Sequence, residues 1–267
     1  MRATDFFRGG RSRPFIMGVL NVTPDSSSDG GLWNSPDRAL AHACDMVDAG
    51  ADMIDIGAES TRPGADKISA EEELRRLMPI LSEVIPSLDV PVSVDTYKAS
   101  VAEAAVEAGV SIINDVWGLS DPDMAPTAAR LDVPLVIMSS FGSSKTFKTD
   151  FIQGDILRYA GDFILEKIDL AHGAGVKDHN IITDPGIGFG TTHEQSMEIL
   201  RNSSYFSFGG KYPVLVGPSR KRFLSAGFPS MDRDDATAEA CAVAGSSGAD
   251  ILRVHDVAGT VRRLSWF

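Results

Sequence analysis

The chain has 267 residues, of which 43% are hydrophobic and 23% charged, and its formal net charge is −12. This charge argues against nucleic-acid binding, which needs clustered lysine and arginine, but a local cluster of cations still suits a phosphorylated small molecule. No apolar run approaches the ~18 residues of a membrane span, and the N-terminus lacks the apolar core of a signal peptide. Two cysteines, Cys44 and Cys241, stand in Ala-rich helical surroundings and indicate neither disulfides nor a metal cluster. We therefore expect a cytoplasmic enzyme.

An apolar run that starts at Ile16 gives way at Asn21 to a long polar loop. A continuous apolar run is typical of a strand buried on both faces. The loop continues to about Asn34, whereas connections between a strand and a helix usually run about 2–6 residues. In α/β enzymes the carboxyl ends of strands deliver functional side chains. We therefore expect Asn21–Gly31 to be part of a functional site, and an ordinary connection is the alternative.

Seven further strand-like runs alternate with amphipathic helical patterns. The predicted strands are Met53–Ile56, Val92–Val94, Ser111–Ile113, Pro134–Met138, Ile181–Thr183, Pro213–Val216 and Ile251–Val254. The predicted helices span about 36–49, 70–85, 98–108, 124–131, 152–174, 194–201, 234–247 and 256–267. Ser35 is a predicted cap of the first helix, and Ser69 with Glu72 is a predicted capping box of the second.

Eight strand–helix units in a chain of this length predict an α/β protein of the (β/α)₈ TIM-barrel type, a single domain over residues 1–267. Long active-site loops are expected at the C-terminal ends of strands 1 and 2. A doubly wound open sheet is the alternative, but it would concentrate polar residues at one switch point. Here polar clusters follow nearly every strand, which favours the barrel.

Three polar residues end the third, fourth and sixth strands of the predicted barrel: Asp95, Asn114 and Asp184. Each alone could cap the following helix, and the two carboxylates could be an acid and base pair, as in a glycosidase. A carboxylate also accepts two parallel N–H bonds, and an asparagine offers one donor and one acceptor group. An amide cannot titrate, so the set as a whole does not suit acid–base catalysis. It favours a binding site for a guanine-like ring.

A second set at the strand ends is cationic in an otherwise acidic chain. It consists of Arg62, Arg220, Lys221, Arg253 and His255, with Asn21 nearby. Arginine forks suit phosphate oxygens, and Mg²⁺ accepts amide oxygens while keeping substrate phosphates as ligands. Surface ion pairs are the alternative for each arginine. The run Gly186-x-Gly188-x-Gly190 lacks the spacing of a dinucleotide-binding loop.

At these positions the chain resembles dihydropteroate synthase. The matching blocks occur in order along nearly the whole chain: Ile16–Gly31, Asp55–Gly64, Ser93–Lys98, Ile113–Val116, Asp184–Gly190, Ser219–Lys221 and Arg253–Asp256. The resemblance implies condensation of 6-hydroxymethyl-7,8-dihydropterin pyrophosphate with p-aminobenzoate, in folate biosynthesis, by a homodimeric transferase. It also implies Mg²⁺ as cofactor and an SN1-like loss of pyrophosphate, with no covalent enzyme intermediate.

The resemblance also implies a role for each matching residue. The pterin is expected at Asp95, Asn114, Asp184 and Lys221. The pyrophosphate is expected at Asn21, Arg62, Arg253 and His255, with Asn21 as the protein ligand of Mg²⁺. The p-aminobenzoate side is expected to comprise Thr61, Arg62, Pro63, Phe189, Ser219 and Arg220. Asp95, Asn114, Asp184, Lys221, Arg253 and His255 form the catalytic set.

The chain departs from the family pattern mainly on the amine side. Ser27 stands where the first loop usually has phenylalanine, and Thr191 where a lysine usually follows Gly190. The segment Ser139–Ser144 replaces the usual His-Met-Arg/Gln-Gly-Thr-Pro, and Pro218 precedes Ser219 in place of a small polar residue. Losing the phenylalanine favours tolerance of sulfonamides, which mimic p-aminobenzoate, with neutral drift as the alternative.

Three other functions stay open at this point. The first is a synthase that acts on a larger aryl amine, such as one carrying a ribose phosphate. The second is a pterin-binding methyltransferase, against which the Asn21–Gly31 and Ser219–Lys221 blocks count. The third is a paralog that binds pterin without turnover.

Overall fold

Eight parallel strands form the centre of the protein in a computed structural model that describes residue 7 and residues 13–23, 35–60, 65–141 and 152–265. The strands are β1 Phe15–Asn21, β2 Met53–Gly57, β3 Val92–Asp95, β4 Ile112–Asp115, β5 Leu135–Met138, β6 Ile181–Asp184, β7 Leu215–Val216 and β8 Ile251–Val254. Their order in the sheet is β6-β5-β4-β3-β2-β1-β8-β7. A parallel bridge between Thr183 and Val214 joins the two edge strands, so the sheet curls into a nearly closed barrel.

This closure confirms the predicted (β/α)₈ barrel, and the alternative of an open doubly wound sheet is wrong. The predicted strand Pro213–Val216 is shorter than expected: only Leu215 and Val216 pair with β8. Proline has no N–H to give to a sheet, and Pro213 contributes only its carbonyl, which accepts from the Thr183 N–H at 2.9 Å.

In the described part of the chain, nine α-helices have defined bounds, beside three short 3₁₀ helices. The α-helices are α1 Pro36–Asp48, α2 Ala70–Val84, α3 Ala99–Glu107, α4 Met124–Leu131, α5 Ile156–Gly173, α6 His193–Arg201, α7 Leu224–Gly227, α8 Arg233–Ser246 and α9 Val257–Leu264. The four-residue helix α7 was not predicted. The helix expected from Ile152 begins only at Ile156, because Asp155 caps it by accepting from the Arg158 N–H. None of the helices described is both long and apolar enough to cross a membrane.

Two of the predicted helix caps are wrong in detail. Ser35 precedes α1, but its side chain makes no capping hydrogen bond. Ser69 accepts from the Glu72 N–H at 3.2 Å, whereas the Glu72 carboxylate binds two arginines of its own helix instead of returning to Ser69. Both partners are charged in the bonds to the arginines three and four residues on, whereas the backbone N–H of Ser69 is a neutral donor. A complete capping box forms instead at Thr192 and Gln195, at the start of α6.

The strand residues alternate between two apolar clusters, because successive side chains point to opposite faces of a sheet. One cluster lies outside the barrel, between the strands and the helices, and includes Ile16, Ile54, Val94 and Val254. The other fills the inside, with Phe7, Phe15, Met17, Met53, Ile112, Val136, Ile182, Leu215 and Ile251. On β2, β4, β6 and β8 the next inward positions are polar or charged, so the apolar cluster gives way there to the polar site: Asp55, Asn114, Asp184 and Arg253.

Phe7 closes the interior cluster and should contribute strongly to stability. Its ring is 4% exposed and meets Phe15 edge-on at 5.1 Å. We expect Phe7→Ala to lower the free energy of unfolding in urea by about 3 kcal/mol, since the change leaves a cavity in the plug. Leu165→Ala is the control: Leu165 is 42% exposed on α5, and the cost should stay below about 0.5 kcal/mol. Equal losses from both variants would contradict a packed Phe7.

Candidate active site

The carboxyl ends of the strands carry a row of polar residues facing the inside of the barrel. Asn21 stands opposite Gly57, Gly57 opposite Asp95, and Asp95 opposite Asn114 in consecutive strand pairs. A Cβ at Gly57 would lie 3.3 Å from the Cβ of Asp95. The missing side chain therefore leaves room between Asn21 and Asp95.

Arg253, on β8, joins two carboxylates across the mouth of the barrel. Its Nε donates to Asp55 Oδ2 at 2.6 Å, and its Nη2 donates to Asp95 Oδ2 at 2.7 Å. Asp55 also accepts hydrogen bonds from the hydroxyl of Ser93 and, at 3.0 Å, from Nδ2 of Asn114. One guanidinium therefore orients the carboxylates of two strands and is itself held in place by both.

Asp55 is the main residue of the site that was not predicted. It is completely buried in the middle of β2, and its carboxylate contacts two of the predicted pterin-site and pyrophosphate-site residues, Asn114 and Arg253. Its signal in the sequence is a charged residue inside an apolar strand, since aspartate is almost never fully buried unless it is paired.

Two buried oxygens of the predicted ring-binding set accept no hydrogen bond from the described residues: Asp95 Oδ1 and Asn114 Oδ1. Buried polar atoms are nearly always paired in proteins. Burial raises the pKa of Asp95 to about 7, with Arg253 acting in the opposite direction and Asp55 adding to the rise. A ligand that offers N–H donors would satisfy both oxygens.

Neither Asp95 nor Asn114 caps a helix, which was the alternative for each of them. The residues in the capping positions of α3 and α4 are Lys98 and Asp123. The next aspartate in the chain, Asp115, instead accepts from the N–H groups of Trp117 and Leu119 at 2.8 and 2.9 Å.

Asp184 and Lys221 form the opposite side of the site. Asp184, at the end of β6, accepts from the Gly186 N–H at 2.8 Å. Burial raises the pKa of Asp184 to about 6, and the charge of Lys221 opposes that rise. Burial also lowers the pKa of Lys221 to about 8, against the opposing effect of Asp184. Each charge therefore reduces the cost of burying the other.

The ammonium of Lys221 is placed by the segment after β6. Its Nζ donates to the carbonyl oxygen of Ile187 at 2.5 Å and lies 4.6 Å from the ring centroid of Phe189. A Cβ at Gly186 would lie 1.7 Å from the carbonyl oxygen of Ser139. A Cβ at Gly188 would lie 2.9 Å from Cδ of Lys221. Both glycines have positive φ, so this run is explained by close packing and not by nucleotide binding.

His255 and Ser219 bring the ends of β8 and β7 together. Nδ1 of His255 lies 2.9 Å from the Ser219 Oγ, which also accepts from the His255 backbone N–H at 3.1 Å. Arg253 and His255 flank Val254, which packs on the outer side of the barrel. Arg253 and His255 are thereby placed on one inward face, as their spacing predicted.

Arg220 is predicted on the p-aminobenzoate side, but in the structure its side chain binds helix α8. Its Nε and Nη2 donate to the two oxygens of Asp234 at 2.8 and 3.0 Å. Its own N–H donates to Thr237 Oγ1 at 3.1 Å, and its φ is +57°. The paired side chain and the bonded N–H stabilise a backbone conformation that is uncommon for residues other than glycine. This conformation places Ser219 and Lys221 at the site on either side of Arg220.

Part of the predicted site lies outside the described residues. This holds for the predicted amine-side residues Thr61, Arg62 and Pro63, for Ser27, and for most of the loop that begins at Ser139. The described part brings together residues from β1, β2, β3, β4, β6 and β8 and from the loops after β6 and β7. The predicted pterin set is among them, as are three of the four predicted pyrophosphate residues, Asn21, Arg253 and His255.

Comparison with known proteins agrees with this geometry. The family model described as "Pterin binding enzyme" matches residues 17–255. The dihydropteroate synthase of Bacillus subtilis is 45% identical over 250 residues, which cover 92% of this chain and 85% of that protein. The synthase of Clostridium beijerinckii is 46% identical, with 92% and 90% covered.

Solved structures give the same result. The Yersinia pestis dihydropteroate synthase with a sulfonamide drug complex aligns with a TM-score of 0.90 at 38% identity, covering 96% of this chain and 93% of that one. The Xanthomonas albilineans enzyme in complex with 7,8-dihydropteroate aligns with a TM-score of 0.80 at 33% identity, covering 95% and 91%. The chain therefore belongs to the pterin-binding enzymes and, among them, to the dihydropteroate synthase family.

Proposed function

We propose that the residues at the carboxyl end of this barrel join 6-hydroxymethyl-7,8-dihydropterin pyrophosphate to p-aminobenzoate, giving 7,8-dihydropteroate and pyrophosphate. The chain is a dihydropteroate synthase by family, a transferase of folate biosynthesis. The observation that carries the assignment of residues is the pair of buried, unsatisfied oxygens of Asp95 and Asn114 next to the cationic Arg253. Acceptors for a heterocycle and a cation for a phosphate group therefore lie side by side.

The pterin is proposed to bind with its amino-pyrimidinone edge toward Asp95, Asn114 and Asp184. The two carboxylates accept from ring N–H and amino groups, while the asparagine offers its free carbonyl oxygen. Lys221 supplies a donor to the ring acceptors from its position beside Asp184 and Phe189. Because these groups lie in a buried site, each unmatched donor or acceptor of a wrong ligand would be costly.

The pyrophosphate is proposed to lie toward Asn21, Arg62, Arg253 and His255. In the SN1-like reaction the C–O bond to pyrophosphate breaks first, and positive charge develops on the methylene carbon of the pterin. The aniline nitrogen then attacks that carbon and loses a proton. Arg253 and His255 stabilise the negative charge of the departing group, and binding of both substrates supplies the alignment.

Mg²⁺ is proposed as the cofactor, with Asn21 as its protein ligand. The amide oxygen of Asn21 is a hard donor of the kind that Mg²⁺ accepts, and it stands half-buried at the end of β1. Among the described residues, no group of three or more His, Cys, Asp or Glu side chains could hold a metal ion. An ion at Asn21 would therefore depend on substrate phosphates for its other ligands, where it would neutralise charge on the leaving group.

The p-aminobenzoate side is proposed to comprise Thr61, Arg62, Pro63, Phe189, Ser219 and Arg220. Phe189 offers an aromatic face next to Lys221, and Ser219 offers a hydroxyl beside His255. The ion pair between Arg220 and Asp234 supports a role for Arg220 in fixing the conformation of the loop after β7. A synthase for a larger aryl amine is the second candidate, favoured by the departures at Ser27 and Ser139–Ser144 from the family pattern.

A pyrophosphate-release assay tests the function. Purified protein is incubated with Mg²⁺ and the dihydropterin pyrophosphate, with and without p-aminobenzoate. Release that depends on p-aminobenzoate and yields dihydropteroate is the expected result. Release without incorporation of the amine would indicate another acceptor, and pterin binding without release would indicate a non-catalytic paralog. The named relatives favour a synthase over a pterin-dependent methyltransferase.

Sulfonamide tolerance is expected to follow from Ser27. We expect Ser27→Phe to lower the inhibition constant of a sulfonamide about 5–30-fold, the effect of one aromatic contact of roughly 1–2 kcal/mol. Inhibition constants and the KM of p-aminobenzoate are compared between the wild type and Ser27→Phe, with Ser27→Ala as a control for loss of the hydroxyl. An unchanged inhibition constant in Ser27→Phe would exclude this explanation.

Three further properties are proposed with the function. The whole chain, residues 1–267, is one pterin-binding domain; it acts as a homodimer; and it is cytoplasmic. Family resemblance supports the second and third of these. Analytical ultracentrifugation at micromolar concentration tests the homodimer, since a sedimenting species at the monomer mass would exclude it.

A further inference from the structure

Thr191 lies at the centre of a directed chain of hydrogen bonds behind the site. Its Oγ1 accepts from the Gly188 N–H at 2.9 Å and lies 2.8 Å from Ser196 Oγ. The Ser196 hydroxyl donates its proton to the carbonyl oxygen of Thr192 at 2.7 Å. Because a hydroxyl has one proton, Thr191 must be the donor to Ser196. The chain therefore runs from Gly188 through Thr191 and Ser196 to Thr192.

This chain fixes the backbone that surrounds Lys221. Gly188 lies between Ile187, whose carbonyl oxygen accepts from Lys221, and Phe189, whose ring faces the same ammonium. The backbone at Gly188 also packs on the aliphatic stem of Lys221, where an added Cβ would lie 2.9 Å from Cδ. A shift of the Gly188 N–H would thus move three contacts of Lys221 together.

The other end of the chain is anchored in a rigid element. Ser196 is completely buried in α6, and Thr192 caps the same helix in a capping box with Gln195. Gln195 also donates to the carbonyl oxygen of Ile152 at 2.8 Å, and the Ile152 N–H donates to the carbonyl oxygen of Gly190 at 3.0 Å. The first turn of α6 therefore holds the segment after β6 at two points.

We propose that Thr191 is a positioning residue, which holds Ile187–Phe189 against Lys221 and so sets where the ammonium meets the pterin. The proposal rests on the proposed pterin-binding role of Lys221. A side chain at position 191 needs an acceptor atom to pair with the Gly188 N–H, and the hydroxyl of Thr191 is that acceptor.

The test compares three variants by fluorescence titration with pterin. Thr191→Val keeps the shape and removes the hydroxyl, and we expect the Kd for pterin to rise about 10-fold, the size of one buried hydrogen bond. Thr191→Ser keeps the hydroxyl and should stay within about twofold of the wild type by the same reasoning. Thr192→Val removes the cap of α6 without a bond to Gly188, so it should lower Tm while leaving the Kd nearly unchanged.

A thermodynamic cycle with Lys221→Met separates positioning from general destabilisation. If Thr191 acts through Lys221, Thr191→Val should cost almost no further pterin affinity in the Lys221→Met background, because coupled residues are not additive. Additive losses would overturn the proposal, as would equal effects of Thr191→Val and Thr192→Val on Kd. Ser196→Ala, which removes the acceptor that orients the Thr191 hydroxyl, replaces Thr191→Val if that variant does not fold, with the same expected rise.

Failure of the inference and failure of the proposed function give different results. A wild type that binds pterin, together with a Thr191→Val variant of equal affinity, would overturn only the role of Thr191. A wild type that does not bind pterin would overturn both.

Discussion

The Arg253→Met variant is expected to lose about 3–5 kcal/mol of unfolding free energy, because removing one partner of a buried ion pair leaves an uncompensated charge. Here the single guanidinium serves two carboxylates, those of Asp55 and Asp95, which are 0% and 7% exposed. Methionine can fill similar space but donates no hydrogen bond. Urea denaturation followed by tryptophan fluorescence measures the loss. Synthase activity should fall together with it, since Arg253 is also proposed to stabilise the leaving pyrophosphate.

Two further variants show whether lost charge pairing or lost packing lowers the unfolding free energy of Arg253→Met. Asp55→Asn combined with Arg253→Met removes one of the two unpaired charges, and the double variant should be more stable than Arg253→Met alone. Arg253→Lys keeps the charge, but a single ammonium cannot reproduce the separate Nε and Nη2 bonds. It should therefore recover only part of the stability. A double variant that is less stable than Arg253→Met would contradict the electrostatic explanation.

The barrel could be predicted because each strand carries its own signal. The apolar runs from Ile16 onward are short, alternate with amphipathic helices, and end at polar residues, so the strand number and the inward face of each end follow from local patterns. The positions of Arg253 and His255 on one face follow from the period of two residues along a strand. The closing contact between β6 and β7 has no such signal, since it consists of one bridge at Val214 beside a proline.

The contacts within the site could not be predicted in the same way. Asp55 was missed because it lies inside its strand and not at the end, where the predicted site residues were sought. Its pairing with Arg253 joins positions 198 residues apart in the chain. The pairing of Arg220 with Asp234 depends on how the segment that contains α7 folds back onto α8. Sequence patterns report which residues face inward, whereas the partner of each charge depends on three-dimensional packing.

The Asp184→Asn variant is expected to bind pterin about 100-fold more weakly, the upper range for a hydrogen bond to a charged group. An amide at position 184 could accept one bond but would offer its NH₂ group where the pterin also has a donor. The wild type should show a matching pH dependence. Because burial raises the pKa of Asp184 to about 6, pterin affinity should fall as the pH drops through that value. Titrations of pterin fluorescence at several pH values measure both effects, and the affinity of Asp184→Asn should be less sensitive to pH.

Although Asp184→Asn should weaken pterin binding, it should make the protein more stable than the wild type as the pH rises. The pKa of Asp184 in the folded protein, about 6, lies above the ordinary value of 3.8, so the folded state binds the proton more tightly than the unfolded state. The resulting stabilisation is fully present below about pH 4 and is lost as the pH rises through about 6. Asparagine has no such titration. The unfolding free energy of Asp184→Asn, relative to the wild type, should therefore rise by about 2 kcal/mol between pH 4 and 6.5.

This pH window isolates Asp184 from its neighbour. Lys221, whose pKa is lowered to about 8, stays protonated through most of the window in the folded wild type, and an unfolded lysine is protonated throughout. A relative stability that is flat with pH would mean that Asp184 is mostly ionised in the folded protein at pH 4, with its charge stabilised by Lys221, the Gly186 N–H and Arg253. A rise with pH, together with weaker pterin binding, would mean that the site keeps a costly carboxylate because the pterin requires an ionised acceptor there.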